Sequence, residues 1–192
     1  MARPRNFDEE DVLRKAMALF WSKGYESTSL AELLQTTGLS KSSLYETFGS
    51  KRELFLRAFQ LYKKDRMDGL TEGLSHPDAY LALTNAFKTV LDGKGSQMGC
   101  MTANEAIELA PHDPKLQEMV ESDFYNIEEV FRQTIERGKE NGSLRAGLDA
   151  RKIARFLTVS LQGINVMIRA QAKREVLEDF ISVVLEKLNE RE

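Results

Sequence analysis

Two short apolar segments joined by a glycine-led turn constrain the fold of this chain more than any other feature. The first segment carries Leu30, Leu33 and Leu34, and the second, after Gly38-Leu39-Ser40, carries Leu44 and Phe48. The spacing of three and four residues predicts two amphipathic helices. Gly38 favours the left-handed conformation that ends a helix, and Ser40 can cap the next one. Two short helices with so tight a turn predict a helix-turn-helix.

Polar side chains cover the other side of the second of these helices. In DNA-binding helix-turn-helix motifs, the N-terminal end of this helix enters the major groove, where small side chains allow close approach to base edges. An ordinary helical hairpin with a solvated polar face has the same spacing, so the motif alone leaves both interpretations open. The residues concerned are Lys41, Ser42, Ser43, Glu46 and Thr47.

Helices are also predicted on both sides of the motif. Residues 7–23 have apolar positions at helical spacing and end at Gly24, and Thr28 or Ser27 is expected to cap the following helix. Ser50 and Glu53 form a capping-box pattern at the start of a fourth helix. Further helices are expected near residues 78–92, 102–110, 114–140, 149–171 and 174–190.

No segment shows sustained strand alternation, so the predicted fold class is all-α. We expect a three-helix head that contains the helix-turn-helix, followed by a larger helical core. The expected domain boundary separates residues 1–50 from residues 51–192.

Composition and charge narrow the class of protein. The 192 residues are 42% hydrophobic and 30% charged, which is typical of a globular protein. The single cysteine, Cys100, cannot form an intrachain disulfide, and no signal peptide or membrane span is expected, so the cytoplasm is the predicted compartment. Residues 1–66 hold 12 basic and 9 acidic side chains, whereas residues 67–192 hold 15 basic and 21 acidic side chains. This asymmetry suggests that the first third of the chain faces a polyanion.

The stretch GYESTSLAELLQTTGLSKSSLYETFGSKRELF resembles the DNA-binding region of the TetR family of transcriptional regulators. The shared pattern is a Gly-Tyr turn, a Gly-Leu-Ser turn, Leu-Tyr-x-x-Phe and a Ser-Lys-x-x-Leu helix start, and the resemblance covers residues 8–62. It implies a homodimer that binds a palindromic double-stranded DNA operator. It also implies that the larger C-terminal helical core serves ligand binding and dimerisation, and that the protein is a ligand-responsive repressor that a small-molecule effector releases.

The resemblance assigns roles to individual side chains. It implies that Lys41, Ser42, Ser43 and Thr47 meet bases or nearby phosphates, and that Thr28, Tyr45 and Lys51 contact the DNA backbone. Lys51 at a helix N-terminus also suits a phosphate on physical grounds. Arg3 and Arg5 either reach a groove or form a solvated terminus. Leu34 and the pair Glu46-Thr47 depart from the common TetR-family pattern. The alternative function is therefore a protein-interaction module that does not read DNA.

The C-terminal two thirds of the chain must supply any effector pocket. Met and Phe side chains make adaptable apolar walls, and a few polar groups would orient a ligand. Packing in the core, or a hydrogen bond to the protein itself, is the alternative role for each candidate. The candidates are Phe87, Met98, Cys100, Met101, Asn104, Phe124, Phe131, Gln162, Asn165 and Met167.

Cys100 supports two interpretations. The stretch Met98-Gly99-Cys100-Met101 is similar to that of a TetR subgroup, some members of which sense electrophiles or oxidants through a cysteine. Reactivity would need a nearby cation or a helix N-terminus, and a buried apolar role is the alternative.

Metal binding and catalysis are not predicted. His76 and His112 are 36 residues apart, so no closely spaced ligand set exists. No nucleophile triad, phosphate loop or dinucleotide fingerprint is visible, so we expect neither a cofactor nor an enzyme.

Two apolar stripes near the end of the chain predict the dimer contact. Such stripes can pair with their copies across a two-fold axis to form a four-helix interface, although one face could instead cover the core of its own chain. A two-fold axis would place two recognition helices about one DNA turn apart. The stripes are Ile153, Phe156, Leu157, Leu161, Ile164 and Ile168, then Val176, Leu177, Phe180, Ile181, Val184, Leu185 and Leu188.

Overall fold

The computed structural model describes residues 7–93 and 96–189. These residues form nine α-helices and a short 3-10 helix, Ser96–Met98, with no strand among them, which confirms the predicted all-α class. No helix in the described ranges is long and apolar enough to cross a membrane. The helices are α1 Glu9–Lys23, α2 Leu30–Thr37, α3 Lys41–Phe48, α4 Lys51–Gly73, α5 Ala79–Asp92, α6 Met101–Glu108, α7 Pro114–Asn141, α8 Ala150–Arg169 and α9 Arg174–Asn189.

The chain divides into two compact units, residues 1–65 and residues 66–192. The boundary lies inside α4 rather than after residue 50 as predicted, because the first half of α4 packs within the head. Phe55 meets Phe20 of α1 edge-on, with ring centroids 5.1 Å apart, and Tyr62 meets Trp21 in the same way at 5.0 Å. A helix start in the sequence is therefore not a domain boundary here.

Local sequence sets the ends of the head's helices. Ser29, rather than Thr28 or Ser27 as expected, caps α2 and forms a capping box with Glu32. Gly38 has a φ of 74° and ends α2, and Ser40 then caps α3. The turn between α2 and α3 thus has only three residues, as the helix-turn-helix requires.

The C-terminal unit has its own hydrophobic core. Phe87 of α5 stacks on Phe131 of α7 with ring centroids 6.3 Å apart, and both side chains are buried. α7 packs against α5, α6 and α8, and α9 packs against α5 and α8. Other members of this core are Leu83, Ile127, Ile135, Leu157, Leu161, Ile164, Leu177 and Val184.

Candidate functional site

Helix α3 presents a polar face to solvent because its apolar residues are buried on the other side. Leu44 is fully buried and Phe48 is nearly so, which fixes α3 against the head. The opposite side is solvent-accessible to different degrees. Lys41, Ser42, Tyr45 and Glu46 are exposed, while Ser43 and Thr47 are half-buried.

The hydroxyl groups at the start of α3 form one hydrogen-bonded cluster. Ser40 Oγ accepts a hydrogen bond from the Ser43 backbone N–H at 3.1 Å and lies 2.8 Å from Ser43 Oγ. It also lies 3.0 Å from Ser42 Oγ. The cluster therefore orders small side chains at the end of the helix that reads bases in this motif.

Lys51 has a structural contact in the head. Its Nζ donates to the Tyr25 carbonyl oxygen at 2.6 Å and lies 4.2 Å from the centre of the Tyr25 ring. These contacts join the turn after α1 to the first residue of α4. The phosphate contact expected of Lys51 stays a prediction.

The location of Thr28 contradicts a role in contacting the DNA backbone through its side chain. Thr28 is fully buried, and its hydroxyl donates to the Gly24 carbonyl oxygen at 2.7 Å. The side chain therefore stabilises the turn between α1 and α2. Arg3 and Arg5 lie outside the described residues.

The predicted apolar pocket residues differ in how deeply the fold buries them. Phe87, Met101 and Phe131 are buried in the C-terminal unit, and Met98 and Phe124 are half-buried. Met167 is 43% exposed, because it shares the outward side of α8 with Val159 and Gly163. Its predicted place in a pocket wall stays a prediction.

The predicted polar pocket residues differ in whether their hydrogen bonds are made within the protein. Asn104 Nδ2 donates to the Met98 carbonyl at 3.3 Å, and Asn165 Nδ2 donates to the Leu161 carbonyl at 2.8 Å. Both amide atoms of Gln162 are buried and find no hydrogen-bond partner within residues 7–93 and 96–189. Gln162 therefore retains the hydrogen-bonding capacity that a ligand could use.

Cys100 lies at the N-cap of α6 beside a positive charge. It is 4% exposed, and Arg66 Nη1 donates to its Sγ at 3.3 Å. The preceding Gly99 has a φ of 65°, and a Cβ there would lie 2.5 Å from the Asn165 carbonyl oxygen. Glycine is thus required for α6 to start this close to α8. A cation and a helix N-terminus favour a reactive thiol, and sensing by Cys100 stays a prediction.

The sequence pattern did not lead us to predict two carboxyl groups that are buried in the C-terminal unit. Asp123 is fully buried, where its Oδ2 lies 2.5 Å from Arg66 Nη2 and accepts a hydrogen bond from Thr102 Oγ1 at 2.6 Å. Glu105 is 1% exposed. Helical register could have indicated that Asp123 is buried, because this residue falls within the apolar stripe between Val120 and Ile127.

Burial determines the protonation of Glu105. Removal from water raises its pKa to about 8, the negative charge of Glu108 adds to the rise, and the positive charge of Arg169 opposes it. The Glu105 side chain is therefore mostly protonated at neutral pH. Among the residues that the structure describes, no group of three or more His, Cys, Asp or Glu side chains could hold a metal ion.

An exposed helix-turn-helix on a small helical head, followed by a separate helical unit, defines a DNA-binding transcriptional regulator. The family model described as bacterial regulatory proteins, tetR family, matches residues 12–58. The model described as tetracyclin repressor-like, C-terminal domain, matches residues 79–184. The chain therefore belongs to the TetR family, whose members are regulators of transcription and not enzymes.

Similar proteins cover nearly the whole chain. The HTH-type transcriptional regulator YezE of Bacillus subtilis is 32% identical over 98% of this chain and all of its own length. The HTH-type transcriptional repressor ComR of Escherichia coli is 29% identical over 95% of this chain and 90% of its own. A cysteine mutant of the TetR family regulator CifR, solved with 26-base-pair double-strand operator DNA, is 28% identical with a TM-score of 0.86, covering 97% of this chain and 100% of its own.

Proposed function

We propose that this protein is a homodimeric repressor that binds a palindromic operator and is released by a small-molecule effector. The observation that carries the proposal is the ordered, solvent-accessible polar turn at the start of α3, in a chain that is similar over 97% of its length to an operator-bound TetR regulator. ComR, similar over nearly the same range, is itself a repressor.

The proposed DNA contacts divide into two groups. Lys41, Ser42 and Ser43 lie in the first turn of α3 and Thr47 lies near its C-terminal end, and these four residues would contact base edges and nearby phosphates. Tyr45, which is 45% exposed, and Lys51 at the start of α4 would contact the DNA backbone. The test is selection of binding sites from random duplexes by the purified protein, under reducing conditions and without added ligand. An enriched palindrome supports the proposal, and no enrichment would favour an interaction module.

Lys41→Ala should weaken binding to the selected operator by about tenfold and reduce the slope of log affinity against log salt by about 0.9, since one phosphate contact is lost. Fluorescence anisotropy over a series of salt concentrations measures both quantities. Lys173→Ala is the matched control, because Lys173 is exposed in the turn between α8 and α9 of the other unit. Equal slopes in the parent and Lys41→Ala would contradict the contact.

An exposed apolar face on the last two helices supports the proposed dimer. Val159 is 72% exposed, although apolar side chains of this size are usually buried. A Cβ added to Gly163, one turn further along α8, would meet no atom within 4 Å, so a second helix could approach closely there. A second copy would cover both faces in a two-fold four-helix contact. The other exposed members are Phe156, Val166, Met167, Val176, Phe180 and Val183. Most of the other residues of the two predicted stripes, such as Leu157, Ile164 and Val184, are instead buried in the core of their own chain.

Val159→Glu should convert the dimer to a monomer, because a buried unpaired carboxylate at the two-fold contact is strongly unfavourable. Operator affinity should fall by about a hundredfold, since one half-site then binds without the other. Light scattering after size exclusion measures the mass. Ile107→Glu is the control, because Ile107 is similarly exposed, at 70%, but lies on α6. A Val159→Glu protein that stays dimeric would rule out this interface.

The proposed release is a shift between two conformations of the dimer. An effector that binds the C-terminal unit more tightly in the conformation that misfits the operator would lower DNA affinity by that preference. α4 is continuous through the boundary at residues 65 and 66, and its Arg66 bonds to Cys100 and Asp123, so we propose that α4 transmits the change. Tight effector binding with unchanged operator affinity would contradict the mechanism.

A further inference from the structure

Glu46 is the one acidic residue of α3, and it lies at the centre of the exposed side of that helix. It is two residues from both Leu44 and Phe48, and two residues turn a helix by about 200°, so Glu46 lies opposite the buried side. Ser42 is exposed on the same side one turn earlier, at the end that enters the major groove in this motif. The carboxylate therefore lies where a helix-turn-helix meets DNA.

The Glu46 carboxylate makes no hydrogen bond and no ion pair with residues 7–93 and 96–189. Several other acidic side chains of the head are paired with basic ones, at oxygen-to-nitrogen distances of 2.7 to 2.8 Å in three of the pairs. Both oxygens of Glu46 thus remain available as acceptors for a donor outside the described chain. The pairs are Glu9 with Arg57, Asp11 with Lys15, Asp65 with Arg14, and Glu32 with Lys23.

A carboxylate on this side of α3 opposes the general attraction between a protein and DNA. Contacts to phosphates supply the sequence-independent part of the affinity, and phosphates repel a negative side chain. Lys41 is the only basic residue of α3, so Glu46 leaves this helix with no net side-chain charge. The favourable contact open to Glu46 in the groove is with a base edge, which contributes specificity.

The base edges in the major groove differ in how well they suit a carboxylate. An ionised carboxylate only accepts hydrogen bonds, so it needs the exocyclic amino group of cytosine or adenine, whereas guanine and thymine present acceptors. Adenine also presents its N7 acceptor beside the amino group, and two acceptors repel each other. Cytosine has a C–H group in the neighbouring position. Cytosine is therefore the favoured partner of Glu46, while the amide of a glutamine would suit N6 and N7 of adenine.

We propose that Glu46 is a specificity-determining residue that accepts a hydrogen bond from the N4 amino group of one cytosine in each half-site of the operator. The inference rests on the proposed function for operator binding by the dimer, and it does not depend on release by an effector. The short side chains of Ser42 and Ser43 would let α3 approach the bases closely. The longer side chain of Glu46 could then reach a base edge from the second turn of the helix.

The test is selection of binding sites from random duplexes by the full chain, run in parallel for the parent, Glu46→Gln, Glu46→Ala and Glu118→Gln. The parent should enrich a palindrome with cytosine at one position of each half-site. At that position, Glu46→Gln should prefer adenine and Glu46→Ala should accept any base, while the other positions stay the same. Glu118→Gln removes one negative charge from an exposed position of α7 and should select the parental sequence.

Fluorescence anisotropy on the selected duplexes measures the size of the effect. Changing this cytosine to thymine in both half-sites should weaken binding by the parent about a hundredfold, or about tenfold for each half-site. The same change should weaken binding by Glu46→Ala less than about threefold. Glu46→Ala should also bind a duplex without the operator about threefold more tightly at low salt, because the repulsion of phosphates by Glu46 is removed.

Each contrary result has a distinct meaning. Identical selected sequences for the parent, Glu46→Gln and Glu46→Ala would overturn the inference and leave operator binding supported. A change at a position where the parent selects a base other than cytosine would overturn the assignment of cytosine. If the parent enriches no sequence, the proposed function fails and the inference fails with it. Circular dichroism spectra that match the parent would show that the variants remain folded, as expected for an exposed residue.

Discussion

Asp123→Ala is expected to lower the free energy of unfolding of the C-terminal unit by about 3 kcal/mol or more, which is typical when one partner of a buried ion pair is removed. The carboxylate is fully buried, and Arg66, with a side chain only 20% exposed, lies 2.5 Å away. Its loss removes the carboxylate that pairs with the Arg66 guanidinium and the hydrogen-bond acceptor of Thr102. The cost includes the loss of both interactions.

Urea denaturation followed by circular dichroism measures this loss, and Asp92→Ala is the matched control. Asp92 pairs with Arg174 at 2.8 Å, but the two side chains are 58% and 59% exposed, so less than about 1 kcal/mol is expected there. Asp123→Asn keeps an acceptor oxygen and should fall between the two. If Asp123→Ala is no more destabilising than Asp92→Ala, the buried pair does not stabilise the fold.

The second large effect is a loss of stability as the pH rises. Glu105 has a pKa of about 8 in the folded chain against an ordinary value of 4.5, so between these values the folded state holds a proton that the unfolded state has lost. Stability from this group is complete below pH 4.5 and is lost as the pH rises through 8. The expected loss reaches about 5 kcal/mol, at roughly 1.4 kcal/mol per pH unit within the window.

Urea midpoints at pH 5, 7 and 9 test this expectation. Glu105→Gln cannot ionise, so its stability should change far less over the same range, and the variant should exceed the parent most at pH 9. Glu118→Gln should follow the parent, because Glu118 is exposed. The same pH dependence in the parent and in Glu105→Gln would show that the carboxyl group of Glu105 is not held protonated by burial.

The two carboxyl groups illustrate different solutions to burial in one helical unit. The negative charge of Asp123 is compensated by the Arg66 guanidinium and the Thr102 hydroxyl. Burial instead raises the pKa of Glu105, so that its carboxyl group is mostly uncharged at neutral pH. Removing the first should therefore be costly near neutral pH, while replacing the second by glutamine should be tolerated. Their different responses to substitution separate a carboxylate that stabilises the fold through an ion pair from a carboxyl group that burial keeps uncharged.

The amino-acid sequence alone determined the helices and the helix-turn-helix. Spacing of three and four residues, capping serines and aspartates, and Gly38 in the turn are local features, and each acts within one or two helical turns. The predicted segments accordingly agree with α5 to α9 to within a few residues. The residues predicted on the accessible face of α3 were found there for the same reason, because Leu44 and Phe48 leave only one side available.

Only the tertiary structure decided which polar and apolar side chains are buried. Arg66, Cys100 and Asp123 are far apart in sequence and meet only when α4, α6 and α7 pack, and no local rule relates their positions. Thr28 is buried against expectation, and Met167 is exposed. An amphipathic pattern states that one side of a helix is apolar, but the surface that covers that side is set by long-range packing.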